Sequence, residues 1–278
     1  MAIPSISLND GNSIPQLGFG VWQVPDEEAT PAVVEAIRSG YRLIDTAEGY
    51  DNETGVGRAI RESGVSRQDL FITSKLRNGG HAYDDAVASF EKTMDSLGLE
   101  QLDMFLIHWP VPEQDKYVDA WRALAELRRQ GRIRSIGVSN FLPEHIERIV
   151  DATGVLPVVN QIELHPKYQQ RDVRDFHQKH NIAIECYSPL GSGAVLKDDT
   201  ISEIASKHGK SVSQVILRWH LDQGLIVIPK STHAERIREN IDVFGFELDD
   251  EDRRRIDQLD DPQNGKTGSF PETMNSLF

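Results

Sequence analysis

Leu43-Ile44-Asp45-Thr46-Ala47-Glu48-Gly49-Tyr50 is a short apolar run that ends in an acid and is followed by a tyrosine. An apolar strand that passes at once into polar residues is typical of a buried sheet with functional groups at its strand ends. A buried Asp45 without a cation would cost on the order of several kcal/mol, so it requires a positive partner elsewhere in the chain. Taken alone, the pair also fits an ordinary strand-capping aspartate and a loop tyrosine.

The same unit of strand and helix recurs along the chain. Strand-like apolar runs occupy residues 17–22, 43–45, 70–75, 102–108, 133–138, 158–162, 182–187 and 225–228. Amphipathic segments with helical spacing occupy residues 25–39, 53–62, 82–97, 118–130, 144–150, 169–179 and 212–222. About eight such units close a parallel (β/α)8 TIM barrel, which is the predicted α/β fold.

An open doubly wound sheet uses the same alternation of strands and helices. No glycine fingerprint of the G-x-G-x-x-G kind follows the first strand and opens a helix, so the barrel is favoured. No linker interrupts the units, and residues 1–278 are therefore predicted to form a single domain, a size that α/β barrels reach. The turn residues Asn9-Asp10-Gly11-Asn12 predict a short N-terminal hairpin, and residues 262–278 predict an irregular C-terminal tail.

The composition restricts the possible partners. The formal charge is −14, which disfavours nucleic acid and anionic membranes as partners. The sole cysteine, Cys186, lies in an apolar run and is interpreted as a core residue. No apolar run approaches about 18 residues. We therefore expect a cytoplasmic protein that is a monomer, binds a small molecule and has no metal site.

The predicted strands end in polar or aromatic residues. These are Asp45, Lys75, His108, Trp109, Ser139, Asn140, Gln161, Glu163, Tyr187, Ser188, Lys230 and Ser231. Each has an ordinary interpretation, such as a solvated strand end for Lys75, a core histidine for His108 or a helix cap for Asn140. In a barrel, however, the carboxyl ends of all strands meet on one face, where the charges must compensate one another. The convergence of these residues predicts a functional site on that face of the barrel.

The predicted chemistry is proton transfer by Tyr50. A free phenol has a pKa of about 10, and a nearby ammonium such as Lys75 is expected to lower it. Asp45 is expected to pair with Lys75 and keep it charged. His108 is expected to donate a hydrogen bond to the same substrate oxygen. A carbonyl oxygen held in this way lacks only a hydride, which no side chain supplies, so a nicotinamide cofactor is implied.

Two later segments are suited to that cofactor. Ser188-Pro189-Leu190-Gly191-Ser192-Gly193 is a glycine-rich loop able to present backbone N–H groups to a pyrophosphate, although an ordinary turn fits it as well. Lys230, Ser231 and Arg236 are predicted at a helix N-terminus, a combination suited to a phosphate dianion. A solvated amphipathic helix is the alternative there. A monophosphate site beside a pyrophosphate loop favours NADPH over NADH.

These motifs together resemble the aldo-keto reductase family along essentially the whole chain. The matching segments are Gly40-Tyr41-Arg42-Leu43-Ile44-Asp45-Thr46-Ala47 with Tyr50 and Asn52-Glu53, Leu106-Ile107-His108-Trp109-Pro110, Ile136-Gly137-Val138-Ser139-Asn140-Phe141, Asn160-Gln161-Ile162-Glu163-Leu164-His165-Pro166, and Lys230-Ser231. Within the family, residues 9–18 and the short loop after His108 are most similar to bacterial 2,5-diketo-D-gluconate reductases.

The resemblance implies a role for each matching residue. It implies a catalytic group of Tyr50 as general acid with Lys75, Asp45 and His108. It implies a nicotinamide site in which Ser139, Asn140 and Gln161 hold the carboxamide and Tyr187 stacks on the ring. It implies pyrophosphate contacts from Ser188, Leu190 and Gly191, 2′-phosphate contacts from Lys230, Ser231 and Arg236, and adenine contacts from Glu239 and Asn240. The chain departs from the family pattern at Glu48, whose charge close to the tyrosine is expected to affect Tyr50 or the charge preference for the substrate. It also departs at His233, a weaker phosphate ligand than an arginine, which argues against strict selectivity for NADPH.

The substrate pocket is predicted to have Trp22 and Trp109 as walls, together with the tail around Phe270, Met274 and Phe278, although Trp22 and Phe278 also fit a core role. The short loop at residues 111–115 indicates an open site for small carbonyls, including methylglyoxal-like aldehydes and keto-sugar acids such as 2,5-diketo-D-gluconate. Two other functions stay open. One is a Schiff-base aldolase that uses Lys75, which requires a neutral amine. The other is a cofactor-binding sensor with little turnover.

Overall fold

The computed structural model describes residues 3–278 and begins with the predicted hairpin. Strands β1 (Ser5–Ser7) and β2 (Ser13–Pro15) pair antiparallel, with Ile6 opposite Ile14. Leu8 and Ile14 are buried in one apolar cluster with Leu43 and Phe71 of the barrel strands. The hairpin therefore closes the end of the barrel from which the strands begin.

Eight parallel strands follow and form one sheet in chain order. They are β3 (Gly18–Gly20), β4 (Leu43–Asp45), β5 (Phe71–Leu76), β6 (Leu102–Ile107), β7 (Ile133–Ser139), β8 (Val159–Glu163), β9 (Ala183–Tyr187) and β10 (Ile226–Val227). A parallel bridge joins Leu17 to Val227, and the Gly20 N–H donates to the Pro229 carbonyl at 3.1 Å. The first and last strands thus meet, and the predicted (β/α)8 barrel is confirmed.

Ten α-helices accompany these strands within residues 3–278. They are α1 (Asp26–Ser39), α2 (Glu53–Glu62), α3 (Tyr83–Leu97), α4 (Tyr117–Arg129), α5 (Pro143–Thr153), α6 (Arg171–Lys179), α7 (Asp199–His208), α8 (Val212–Asp222), α9 (Ala234–Ile241) and α10 (Asp250–Asp257). Helices α1 and α3 end at Gly40 and Gly98, which adopt the left-handed conformation that glycine accommodates at a helix end.

The sequence did not predict α7 or α10. Helix α10 buries only Asp252 and Ile256, so it shows almost no apolar periodicity. Asp249 instead starts it through a capping box, in which its carboxylate accepts the Asp252 N–H at 2.9 Å. Asp198 caps α7 by accepting the N–H groups of Thr200 and Ile201. Side-chain caps therefore define the start of both helices, and α7 in addition buries a short apolar stripe of Ile201, Ile204 and Ala205.

The inside of the barrel is apolar at one end and polar at the other. Leu43, Met104 and Val159 belong to the apolar cluster that also contains the hairpin residues. Farther along the strands, the buried interior residues include Asp45, Lys75, Gln161 and Glu185. Because side chains alternate along a strand, those in the barrel stack in layers, and these polar residues form the layer next to the carboxyl ends.

The C-terminal tail, residues 262–278, contains turns but no helix or strand, as predicted. Glu163 at the end of β8 accepts the backbone N–H groups of Thr267 and Gly268 at 2.6 and 2.9 Å. Farther on, the Asn78 side chain donates to the Ser276 carbonyl at 2.8 Å. The tail therefore crosses the face where the strands end. None of the helices in residues 3–278 has both the length and the apolar character needed to cross a bilayer.

Candidate active site

Lys75 is the cation that Asp45 requires. Its Nζ donates to Asp45 Oδ1 at 2.6 Å, to the Thr46 carbonyl at 2.9 Å and to the Tyr50 hydroxyl at 3.3 Å. Lys75 is 0% exposed and Asp45 2%. Three acceptors match the three hydrogens of the ammonium, so the buried cation is fully satisfied and aimed at the phenol.

Neighbouring strands and a fixed turn place these groups. Strands β4 and β5 pair, and Tyr50 lies on the 3-10 turn Glu48–Tyr50 just after β4. Asn52 holds this turn, since its amide donates to the Val21 and Val24 carbonyls and its Oδ1 accepts the Thr46 hydroxyl at 2.7 Å. Asn52 appeared in the sequence only as part of a motif, and its structural role was not predicted.

The pKa values follow from burial and from the Lys75–Asp45 pair. Burial lowers the pKa of Lys75, but Asp45 and then Tyr50 outweigh it, so the net pKa is raised. Burial raises the pKa of Asp45, and Lys75 opposes that change. Lys75 also lowers the pKa of Tyr50, as predicted, but burial outweighs it and the net pKa is raised. The predicted net lowering was therefore wrong, because a phenolate in this site loses its hydration, and Tyr50 is protonated at neutral pH.

His108 follows β6 and lies against Tyr50. The two ring centroids are 5.5 Å apart at an interplanar angle of 72°. Burial, followed by the charge of Lys75, holds the pKa of His108 well below its usual range. Its Nδ1 has no hydrogen-bond partner within the described residues. A neutral imidazole next to a protonated phenol provides two hydrogen-bond donors of the kind that bind a carbonyl oxygen.

A cavity of about 710 Å³ opens above these groups. It contains most of the predicted catalytic, nicotinamide-binding and substrate-pocket residues, with Lys75 buried behind them. The lining residues are Gly20, Trp22, Asp45, Gly49, Tyr50, His108, Trp109, Ser139, Asn140, Gln161, Tyr187, Ser188, Pro189, Ser192, Ile228, Lys230, Thr267, Gly268, Ser269, Met274 and Phe278. Trp22 is 50% exposed, which excludes a core role for it.

The residues predicted to hold the nicotinamide form one hydrogen-bonded network. Ser139 Oγ donates to the backbone carbonyl of Gln161 at 2.9 Å and accepts from Asn140 Nδ2 at 3.0 Å. Asn140 Oδ1 accepts from the Tyr187 hydroxyl at 2.8 Å. The N-cap of the following helix is Leu142, which excludes the helix-cap interpretation of Asn140. Each side chain is therefore fixed by its neighbours.

A second cavity of about 420 Å³ shares Lys230 with the first. Its lining residues are Leu190, Leu196, Ser213, Lys230, Ser231, Thr232, His233, Arg236, Glu239 and Asn240. Helix α9 begins at Ala234, so Lys230 and Ser231 lie in the segment just before the helix, and Arg236 lies in its first turn. Ser231 Oγ accepts the His233 N–H at 3.1 Å, which turns the chain before the helix starts. Gly191 lines neither cavity and lies in the 3-10 turn that follows Leu190.

Residues 16–261 match the Aldo/keto reductase family. The chain belongs to this family. Membership confirms the resemblance found in the sequence and the predicted enzyme class, an NADPH-dependent oxidoreductase. The roles of the individual site residues stay predictions.

Curated relatives and solved structures of aldo-keto reductases are similar over nearly the whole chain. An aldo-keto reductase of Mycolicibacterium smegmatis is 54% identical over 98% of both chains. The methylglyoxal reductase DkgA of Escherichia coli is 47% identical, also over 98% of both. A crystal structure of a Gox0644 mutant in complex with NADPH is 50% identical, with a TM-score of 0.95 over 98% of this chain and 99% of that one.

Two sequence expectations about this aldo-keto reductase change with the structure. Glu48 is not among the cavity-lining residues, because its carboxylate is buried against Lys92 at 3.1 Å and Arg77 at 3.8 Å. The expected effect of its charge on the substrate therefore loses its basis. Phe270 is 53% exposed and lies outside the cavity, so its prediction as a wall was wrong, whereas Met274 and Phe278 line it.

The roles of two buried carboxyl groups of this aldo-keto reductase were not predicted from the sequence. Gln161 Nε2 donates to Asp45 Oδ2 at 2.8 Å and to Glu185 Oε2 at 2.9 Å. Glu185 therefore contacts one of the residues predicted to hold the nicotinamide. Glu163 was noted only as a strand end, yet it binds the tail through Thr267 and Gly268. The available signal was an acid inside a strand-like run that is otherwise apolar, which requires a polar partner.

Proposed function

We propose that this aldo-keto reductase reduces small aldehydes and ketones to alcohols by hydride transfer from NADPH, with Tyr50 as the general acid. The observation that carries the proposal is the 3.3 Å contact between Lys75 Nζ and the Tyr50 hydroxyl at the floor of the large cavity. A cation, a phenol and a neutral imidazole meet there, on the face of the barrel where catalytic groups collect.

The donor set fits the cofactor. Lys230 lines both cavities, so the two adjoin, as a dinucleotide with two dissimilar ends requires. Ser139, Asn140 and Gln161 would hold the carboxamide at one end, beside the ring of Tyr187. Lys230, Ser231 and Arg236 would bind the 2′-phosphate at the other, with Glu239 and Asn240 at the adenine. Ser188, Leu190 and Gly191 would contact the pyrophosphate between them.

When bound, NADPH supplies the hydride to the carbonyl carbon. The chain's own residues handle the oxygen and the proton. His108 and Tyr50 donate hydrogen bonds to the carbonyl oxygen, and the Tyr50 proton moves to that oxygen as negative charge develops on it. Lys75 stabilises the tyrosinate that remains, and Asp45 keeps Lys75 protonated. A proton from solvent then restores Tyr50.

The substrate class follows from the shape and charge of the large cavity. Among its described lining residues, Lys230 is the one lysine or arginine, and it also borders the smaller cavity. Trp22, Trp109 and Phe278 add apolar surface. Uncharged aldehydes of the methylglyoxal kind therefore fit best, and keto-sugar acids such as 2,5-diketo-D-gluconate come second. The name methylglyoxal reductase, borne by the 47% identical Escherichia coli relative, supports this order.

The structure argues against the aldolase alternative, because Lys75 is buried and its pKa is raised, so it is not the neutral amine that a Schiff base requires. A sensor with little turnover would not need a phenol held by a fully satisfied ammonium. The cytoplasmic location and the monomeric state stay predictions.

The test is NADPH oxidation by the wild-type protein against a panel of methylglyoxal, other short aldehydes and 2,5-diketo-D-gluconate. We expect turnover with most of the panel and a higher kcat/KM for the uncharged aldehydes. Borohydride is added to a parallel sample with substrate but no cofactor. The absence of NADPH oxidation with every carbonyl, or a covalent adduct on Lys75, would contradict the proposal.

A further inference from the structure

Glu185 is a buried carboxyl group that the proposed mechanism does not use. It lies on β9 opposite Gln161 of β8 and is 0% exposed. Its Oε2 accepts from Gln161 Nε2 at 2.9 Å, and its Oε1 has no hydrogen-bond partner among residues 3–278. A buried polar atom without a partner is rare in folded proteins and calls for a functional explanation.

The amide of Gln161 is shared between two acids. One N–H donates to Asp45 Oδ2 at 2.8 Å, and the other donates to Glu185 Oε2 at 2.9 Å. An amide has two hydrogens, so both are used. The side-chain carbonyl oxygen of Gln161 therefore points away from the two acids, and Gln161 lines the large cavity. Glu185 thus fixes which end of the Gln161 amide is presented to a ligand in that cavity.

The charged and titratable groups around Glu185 come from several elements. The charges of Asp45 on β4 and Lys75 on β5 affect the pKa of Glu185, and the charge of Glu185 in turn raises the pKa of Tyr50. Cys186 is the neighbour of Glu185 on β9. Strand β10 contributes Ile226 opposite it. Burial and then Asp45 raise the pKa of Glu185 to about 8. Below this pKa the carboxyl group of Glu185 is protonated, and the charges of Asp45 and Lys75 balance each other.

We infer that Glu185 is a positioning residue for the nicotinamide, which orients Gln161 and, once ionised, favours the cationic ring of NADP+ over the neutral ring of NADPH. The inference rests on the proposed placement of the nicotinamide beside Gln161. An added negative charge in a dry site attracts a nearby positive ring much more strongly than it would in water. The same carboxyl group therefore links the orientation of the cofactor to its oxidation state.

The test measures binding in the absence of a carbonyl substrate. The dissociation constants of NADP+ and NADPH are obtained from quenching of protein fluorescence between about pH 6 and about pH 9, on either side of the raised value for Glu185. The 2′-phosphate also titrates near pH 6, but both ligands carry it, so it cancels in the ratio of the two constants. We expect the ratio Kd(NADP+)/Kd(NADPH) of the wild type to fall about tenfold as the pH rises.

Three variants separate charge from positioning. In Glu185→Gln the side chain cannot ionise but still offers an oxygen to Gln161. For this variant the ratio Kd(NADP+)/Kd(NADPH) should not change with pH, and NADPH should bind as in the wild type. Glu185→Leu leaves one N–H of the Gln161 amide without an acceptor and should bind NADPH about tenfold more weakly. Glu53→Gln is the matched control, because Glu53 is also buried and its pKa is raised to about 7, yet it lies outside both cavities. It should keep the wild-type response.

A ratio that does not change with pH in the wild type overturns the inference, even if no variant folds. A pH response retained in Glu185→Gln overturns the charge effect, and wild-type affinity in Glu185→Leu overturns the positioning effect. These outcomes differ from failure of the proposed function, in which both ligands bind as expected but no carbonyl is reduced.

Discussion

Lys75 Nζ lies 2.6 Å from Asp45 Oδ1 in a site where neither side chain is more than 3% exposed. Such a pair stabilises a fold only while both members are present, because removing one leaves the other charge buried and uncompensated. Tyr50 and Gln161 contact opposite ends of the pair, at Lys75 and Asp45 respectively. The stability of the barrel and the proposed chemistry therefore depend on the same two residues.

Asp45→Asn is predicted to lower the free energy of unfolding by about 3–5 kcal/mol, because Lys75 keeps its burial but loses its counter-charge. Urea denaturation measures this change. Asp119→Asn is the matched control, since Asp119 forms a surface pair with Arg122 and should cost less than about 1 kcal/mol. Equal stability of the two variants would contradict the prediction.

Arg236→Ala is predicted to weaken NADPH binding about tenfold to a hundredfold and to leave NADH binding nearly unchanged, because a charge-assisted contact to a phosphate is lost. Arg236 lines the smaller cavity. Arg238→Ala is the control, because Arg238 pairs with Glu35 on the surface. If both cofactors lose affinity equally, Arg236 does not bind the 2′-phosphate.

Glu163→Gln is predicted to release the C-terminal tail. Burial alone would raise the pKa of Glu163, but hydrogen bonds from His165 and Thr267 lower it to about 2. A lowered pKa means that this stabilisation is present above the unfolded-state value and is lost only as the pH falls toward about 2.

Hydrogen exchange at Thr267 and Gly268 measures the effect. In the wild type we expect protection to persist from neutral pH down to about pH 4, and in the variant to be largely lost. Glu272→Gln, on the exposed part of the tail, is the control. Unchanged protection in Glu163→Gln would show that other contacts hold the tail.

Glu53→Gln is predicted to reduce the pH dependence of stability. Burial raises the pKa of Glu53 to about 7, and the Ser74 hydroxyl, which donates to it at 2.5 Å, opposes that shift. A raised carboxyl pKa contributes stability that is complete below the unfolded-state value and is lost as the pH rises through the folded value. Between about pH 5 and about pH 8, the wild type should therefore lose more unfolding free energy than Glu53→Gln. Parallel curves for the two proteins would refute this.

Much of the fold and of the candidate site was accessible from the sequence. In a parallel barrel the strands have apolar sequences, and the functional residues follow directly after them. Asp45, Lys75 and His108 were found in that way. The net pKa shift of Tyr50 was not accessible, since it depends on how completely the phenol is buried. The contact between Glu185 and Gln161 was not accessible, because the sequence does not give the register that places these two residues opposite each other on β9 and β8. Helix α10 was missed because a cap, not an apolar stripe, defines it.

The most direct test of the account is a single-turnover measurement with Tyr50→Phe. Wild type and variant are loaded with NADPH and mixed with methylglyoxal, and NADPH absorbance is followed. Tyr83→Phe, which alters a tyrosine on the surface at the start of α3, is the control. We predict that Tyr50→Phe binds NADPH normally but oxidises it about a hundredfold to ten-thousandfold more slowly, while Tyr83→Phe matches the wild type. A wild-type rate in Tyr50→Phe would contradict the claim that Tyr50 delivers the proton.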